Sequence, residues 1–185
     1  MSLSVFKQNL IQYMDAKPSK SDDFAEFLVR EYDLLIKSGF DMLNQVPIQT
    51  GNTKTMESLL KAFLTMNNYK KEGQLTIGDW GPAFKGYWMG AQGALFPLPV
   101  IPAPGTMQNI ATNTHIIVNP GEWSIALPTP PVLKTESFVE ILALAIQTHI
   151  MTVQGLIITT SLYPVAPTPV PGPGVINWTG YSVPQ

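Results

Sequence analysis

Cysteine is missing from this 185-residue chain, which rules out both a disulfide framework and a thiolate metal site. Histidine is almost missing. His115 and His149 are the two present, and neither has a carboxylate at ligand spacing, so no histidine metal site can be assembled from local sequence. Charge is scarce and badly distributed: of eleven Lys and Arg only Lys134 lies beyond residue 92, and of thirteen Asp and Glu only Glu122, Glu136 and Glu140 do. A net charge of −2 gives no field for nucleic acid or anionic lipid. A free monomer normally needs charged surface, so a second half this bare is expected to lie against other protein.

Recognisable catalytic patterns are lacking too. There is no G-x-S-x-G, no phosphate-binding glycine loop, and no histidine placed by motif to activate a serine. Asp22, Asp23 and Glu26 form a small acidic group, but it falls at a helix start, where carboxylates serve capping and the helix dipole. The aromatic stretch from Trp80 to Trp88 has only Lys85 for company, which fits packing better than base stacking. The expectation is a protein that is not an enzyme, with no cofactor, metal, small-molecule substrate or nucleic acid. The N-terminal Met-Ser-Leu-Ser-Val-Phe-Lys-Gln lacks the basic and apolar regions of a secretion signal, so synthesis in a cytoplasm is expected and the sequon Asn177-Trp178-Thr179 is read as chance.

What the chain has in quantity is proline, with 17 residues. In Phe96-Pro97-Leu98-Pro99-Val100-Ile101-Pro102-Ala103-Pro104-Gly105 every second or third position is proline, which excludes a helix and a central strand and leaves an extended strap. Phe96, Leu98, Val100 and Ile101 gain free energy only when covered, so the strap is expected to dock. A second copy, Tyr163-Pro164-Val165-Ala166-Pro167-Thr168-Pro169-Val170-Pro171-Gly172-Pro173-Gly174, superposes on the first by proline spacing. The aromatic side chains of residues 80–88 are the expected bed for the first strap. The second, with Tyr163, Val165 and Val170 and ending in Trp178 and Tyr181, is expected to reach a partner. Pro99 to Pro102, Pro128 to Pro131 and Pro164 to Pro167 also satisfy P-x-x-P, the minimal ligand of a proline-recognition groove.

Apolar periodicity predicts main helices over 4–16, 23–38, 53–69 and 137–160, with Ser4, Asp23 and Ser137 as caps and Pro82 opening a short helix. The starts at Asp23 and Ser137 match over several positions, which suggests an internal duplication. Residues 110–118 read as one short strand closed by Asn119-Pro120-Gly121. The uncharged run 141–163 is long enough to span a bilayer, but its many polar residues and the lack of flanking Lys or Arg favour a buried helix, with Leu142, Ile146, Ile150 and Val153 as core. The predicted fold is therefore mainly α: a helical bundle with extended proline-rich straps and little β. Three parts are expected in one globular unit: a charged helical part (1–92), a strap with strand and connector (93–134), and an apolar helix with proline-rich tail (135–185).

The first strap together with Val118-Asn119-Pro120-Gly121, and the ending Pro171-Gly172-Pro173-Gly174-Val175-Ile176-Asn177-Trp178-Thr179-Gly180-Tyr181, resembles small structural proteins of tailed bacteriophages. That resemblance implies a virion component of capsid, neck or baseplate, made in the host cytoplasm, whose partners are itself as a homo-oligomer and other virion proteins. It brings no catalytic residues with it. Other readings of the same segments are an adaptor that presents proline-rich ligands to a recognition domain, and a small integral membrane protein.

Overall fold

The computed structural model describes residues 1–16, 21–43, 47–68, 80–93, 97–98, 111–124, 134–161 and 174–185. Among the described residues the helices are α1 (Leu3–Asp15), α2 (Ser21–Lys37), α3 (Thr53–Asn68), α4 (Gly81–Trp88) and α5 (Thr135–Ile150). The strands are β1 (Phe40–Asp41), β2 (Ile48–Thr50), β3 (Gln92–Gly93), β4 (Pro97–Leu98), β5 (Ala111–Asn119), β6 (Gln154–Ser161), β7 (Gly174–Thr179) and β8 (Tyr181–Ser182). They form a two-stranded sheet, β1–β8, and a six-stranded antiparallel sheet in the order β2-β3-β5-β6-β7, with β4 also paired to β5.

This is a mixed α/β fold, and it overturns the expectation of a mainly α bundle with little β. The error has a definite place. The predicted helix over 137–160 ends at Ile150, where Met151 caps it and the Thr152 hydroxyl donates to the His149 carbonyl. Beyond it, Ile157-Ile158-Thr159-Thr160 is a run of β-branched side chains, stiff at χ1 and favoured on a pleated sheet, and it forms β6. The described part of the uncharged stretch, 141–161, is thus a helix followed by a strand, and among the described residues no helix is long and apolar enough to cross a membrane. Leu142, Ile146, Ile150 and Val153 are nevertheless all buried as expected.

Helix starts differ in detail. Ser2, not Ser4, caps α1 by accepting from the Val5 amide. Asp23 and Ser137 lie inside α2 and α5 rather than at their caps. Pro82 does sit in the first turn of α4, and Gly121, at φ +87°, makes the turn after β5. Its left-handed backbone is one that side chains resist.

One face of the large sheet joins the helices in a continuous core. Ile157 of β6 and Trp178 of β7 point into it, and the Trp178 indole lies directly on Gly155 of the neighbouring strand, where no Cβ would fit. At the centre Tyr32 of α2 makes edge-to-face contacts with Phe84 at 5.0 Å and Tyr87 at 4.9 Å and accepts a hydrogen bond of 2.9 Å from Trp88 Nε1. Burial raises the Tyr32 phenol pKa well above its ordinary value, so it stays neutral. Tyr87 donates to Asp33 Oδ1 at 2.8 Å, and Asp33 pairs with Lys37 one turn on. The rings of residues 80–88 expected to receive a strap are therefore engaged by the core: Trp80 packs on Phe63 and Phe138, and Phe84 stacks on Trp123.

The C-terminal residues close this core. Trp88 meets the Tyr181 ring at 5.2 Å, and the Tyr181 hydroxyl donates to the Ile36 carbonyl (2.8 Å) while accepting from the Ile48 amide (3.0 Å). Leu3 N–H donates to the Pro184 carbonyl, so both chain ends meet. Replacing Tyr181 by Phe keeps the ring but leaves a buried amide and carbonyl unmet, which should cost about 1–3 kcal/mol in denaturant unfolding. A change below about 0.5 kcal/mol, the size seen at surface positions, would contradict this role.

Candidate interaction surface

Strand alternation divides the large sheet into two unlike faces. Inward positions of β6 and β7 are Gly155, Ile157 and Trp178; the residues between them, Gln154, Leu156, Ile158, Asn177 and Thr179, point away from the helices. On β5 the outward residues Ile116 and Val118 are 39% and 54% exposed, and Ile116 lies opposite Leu156 in the register. With Leu156 and Ile158 half-buried beside them, they make an apolar strip across the outer face. A second exposed apolar group surrounds the small sheet: the Met42 amide donates to the Gly180 carbonyl, and Met42 and Met151 flank Gly180. A shallow cavity of about 240 Å³ opens beside it, lined by Gln147, Met151, Tyr181, Ser182 and Gln185 among others.

The strand register also fixes where the proline-rich segments attach. β4 meets β5 with Leu98 opposite Ala111, and Ala111 is in turn opposite Ser161 at the end of β6; Gly174, where β7 begins, is opposite Thr159. The described strand ends at Leu98, Ala111, Ser161 and Gly174 therefore lie at the same end of the sheet, and the sequence between them runs over 99–110 and 162–173. Both are longer than the two to five residues that usually close a hairpin.

Of the side chains expected to contact a partner, Phe96, Val100, Ile101, Tyr163, Val165 and Val170 lie outside the described residues. Leu98 is placed at backbone level in β4. Trp178 and Tyr181 are at 2% and 0% exposure, both within the subunit's own core, so they face no partner in this fold. The surface formed by Ile116, Val118, Leu156 and Ile158 is not legible in the sequence for two reasons. The alternation of 110–118 predicts the strand but not which of its faces is covered, and the apolar run over 137–160 places Leu156 and Ile158 in a helix.

A buried titratable group lies beside the turn that follows β5. His149, in the last turn of α5, is fully buried, 5.6 Å from the Trp123 ring, and neither ring nitrogen makes a well-formed hydrogen bond. Trp80 Nε1 and Trp123 Nε1 share that condition. The Glu122 carbonyl beside His149 draws its pKa up, but burial outweighs it and lowers the pKa to about 4. Glu122 itself pairs with Lys85 at 2.7 Å, which holds its carboxyl below the usual range, and its amide donates to the Thr152 hydroxyl. His115, the other histidine, is placed on β5 opposite Ile157. Among the described residues no group of three or more His, Cys, Asp or Glu is arranged to hold a metal.

Comparison with protein-family models, with curated proteins and with solved structures finds no match.

The His149 environment generates a pH dependence. Between pH 4 and 6.5 the unfolded imidazole binds a proton that the folded one refuses, so stability falls as pH drops through that window. The loss should approach roughly 3 kcal/mol at the acid end, from about 1.4 kcal/mol per pKa unit. Denaturant titrations from pH 7.5 to 4 check this against the His149→Leu variant, whose profile should be flatter by that amount. Parallel profiles for the two proteins would show that His149 does not carry the effect.

Proposed function

We propose that this chain is a structural subunit of a bacteriophage particle, part of its capsid, neck or baseplate, that acts through protein–protein contacts and carries out no catalysis. It is made in the host cytoplasm and resides in the virion, where its partners are further copies of itself and other virion proteins. The observation that carries this reading is the exposed apolar strip of the outer sheet face, Ile116 and Val118 with Leu156 and Ile158, on a half of the chain almost without charge. A strip of that kind is characteristic of protein-contact surfaces.

The adaptor reading draws on the same P-x-x-P segments but leaves the sheet face without a role. Immunogold electron microscopy of purified particles decides between them. Label at a fixed position on intact particles is the expected result; chain recovered only from the particle-free lysate would overturn the virion reading. In parallel, light scattering of the purified chain should report a defined oligomer. A strict monomer that binds an isolated proline-recognition domain would favour the adaptor.

A further inference from the structure

The two edges of the large sheet are built differently. At one edge β2 is three residues long and its register with β3 shifts between Ile48 and Thr50. Shortness and irregularity of that kind are how folded proteins protect an edge from further pairing. At the other edge β7 runs for six residues in unbroken register with β6, from Thr179 opposite Gln154 to Gly174 opposite Thr159. Among the described residues no strand lies on its outer side. The strand Gly174-Val175-Ile176-Asn177-Trp178-Thr179 contains no proline and no charged residue, and β6 behind it has no charge either. Within the described strands β6 and β7 none of the usual guards, a charge, a proline or a bulge, is present.

From this we infer that the free edge of β7 pairs antiparallel with the β7 edge of a second copy, joining the two large sheets into one across a two-fold axis. The inference deepens the assembly reading above and rests on its self-association part. Three features favour a copy of this chain over an unrelated segment. Antiparallel pairing of a strand with itself is satisfied by a two-fold axis perpendicular to the sheet, so one strand supplies both halves of the contact. The absence of charge on β6 and β7 means that two copies meet without like-charge repulsion, whereas an uncharged edge offers nothing to select a charged partner. That same axis keeps both helical layers on one side, so the two strips containing Ile116, Val118, Leu156 and Ile158 lie on one common face, with the two β7 strands between them.

A six-residue strand pair covers less than the roughly 1,200 Å² typical of a stable interface, so the contact is concentration-dependent rather than permanent. Sedimentation velocity over a concentration series tests it. Asn177 and Thr179 are exposed in the subunit, so lysine at either position leaves the core untouched. The doubly substituted Asn177→Lys, Thr179→Lys chain should dissociate roughly tenfold more readily than the unsubstituted one, because each substitution sets like charges near each other across the axis. Its circular dichroism and unfolding midpoint should stay unchanged. Mixing it with the Asn177→Asp, Thr179→Asp chain should restore association, which a folding defect cannot do. A chain that stays monomeric up to about 1 mM, where a free energy near −4 kcal/mol still registers, would overturn the pairing. An oligomer indifferent to both variants would also overturn it, while leaving self-association in place through another surface.

Discussion

The hydroxyl of Tyr181 joins three parts of the chain that are far apart in sequence: the end of α2 through the Ile36 carbonyl, the start of β2 through the Ile48 amide, and the C-terminal strand that carries it. Both bonds are buried, so their loss leaves polar backbone groups with no water to turn to. Around them the aromatic groups interlock, Tyr181 on Trp88, Trp88 on Tyr32, and Tyr32 on Phe84 and Tyr87. Helical layer and small sheet thus depend on a single residue close to the C-terminus. Gly39 shows how tight the closure is, because any side chain there would run into the Ser182 carbonyl.

That dependence reverses the role expected for the chain's last residues. In sequence they follow a proline-rich segment and end in aromatics, which reads as an arm. In the fold Gly180 takes a left-handed backbone at φ +88°, its amide donates to the Val153 carbonyl, and the turn delivers Tyr181 and Val183 into the core. Nothing local marks this, because whether an aromatic packs inside or outside depends on partners more than a hundred residues away. The helices of the first half were legible for the opposite reason. Their amphipathic stripes are local, and α1, α2 and α3 fall within about two residues of where periodicity puts them. The strand β6 was recoverable in principle, since four consecutive β-branched residues outweigh apolar content as a guide to secondary structure.

The distribution of charge takes on a structural meaning. The ion pairs among the described residues bind the helical side: Lys61 bridges Glu26 and Glu57 between α2 and α3, and Lys7 reaches from α1 to Glu140 on α5. Surface pairs of this kind contribute little to stability individually, but they keep that side solvated. Among the described residues the sheet side has only the Lys85–Glu122 ion pair at its border. The ion pairs thus gather on one side of the subunit, and the outer strip and the β7 edge both lie on the other.

The central claim is that the C-terminal strand is part of the cooperative core. Native-state hydrogen exchange measures this directly at three amides: Ile48, which donates to Tyr181; Met42, which donates to Gly180; and Gly180, which donates to Val153. The account predicts that all three exchange only through global unfolding, with an opening free energy equal to that from denaturant titration. Exchange of these amides at the rate of unprotected loops, while α2 and α5 stay protected, would show that the terminus detaches independently and would contradict it.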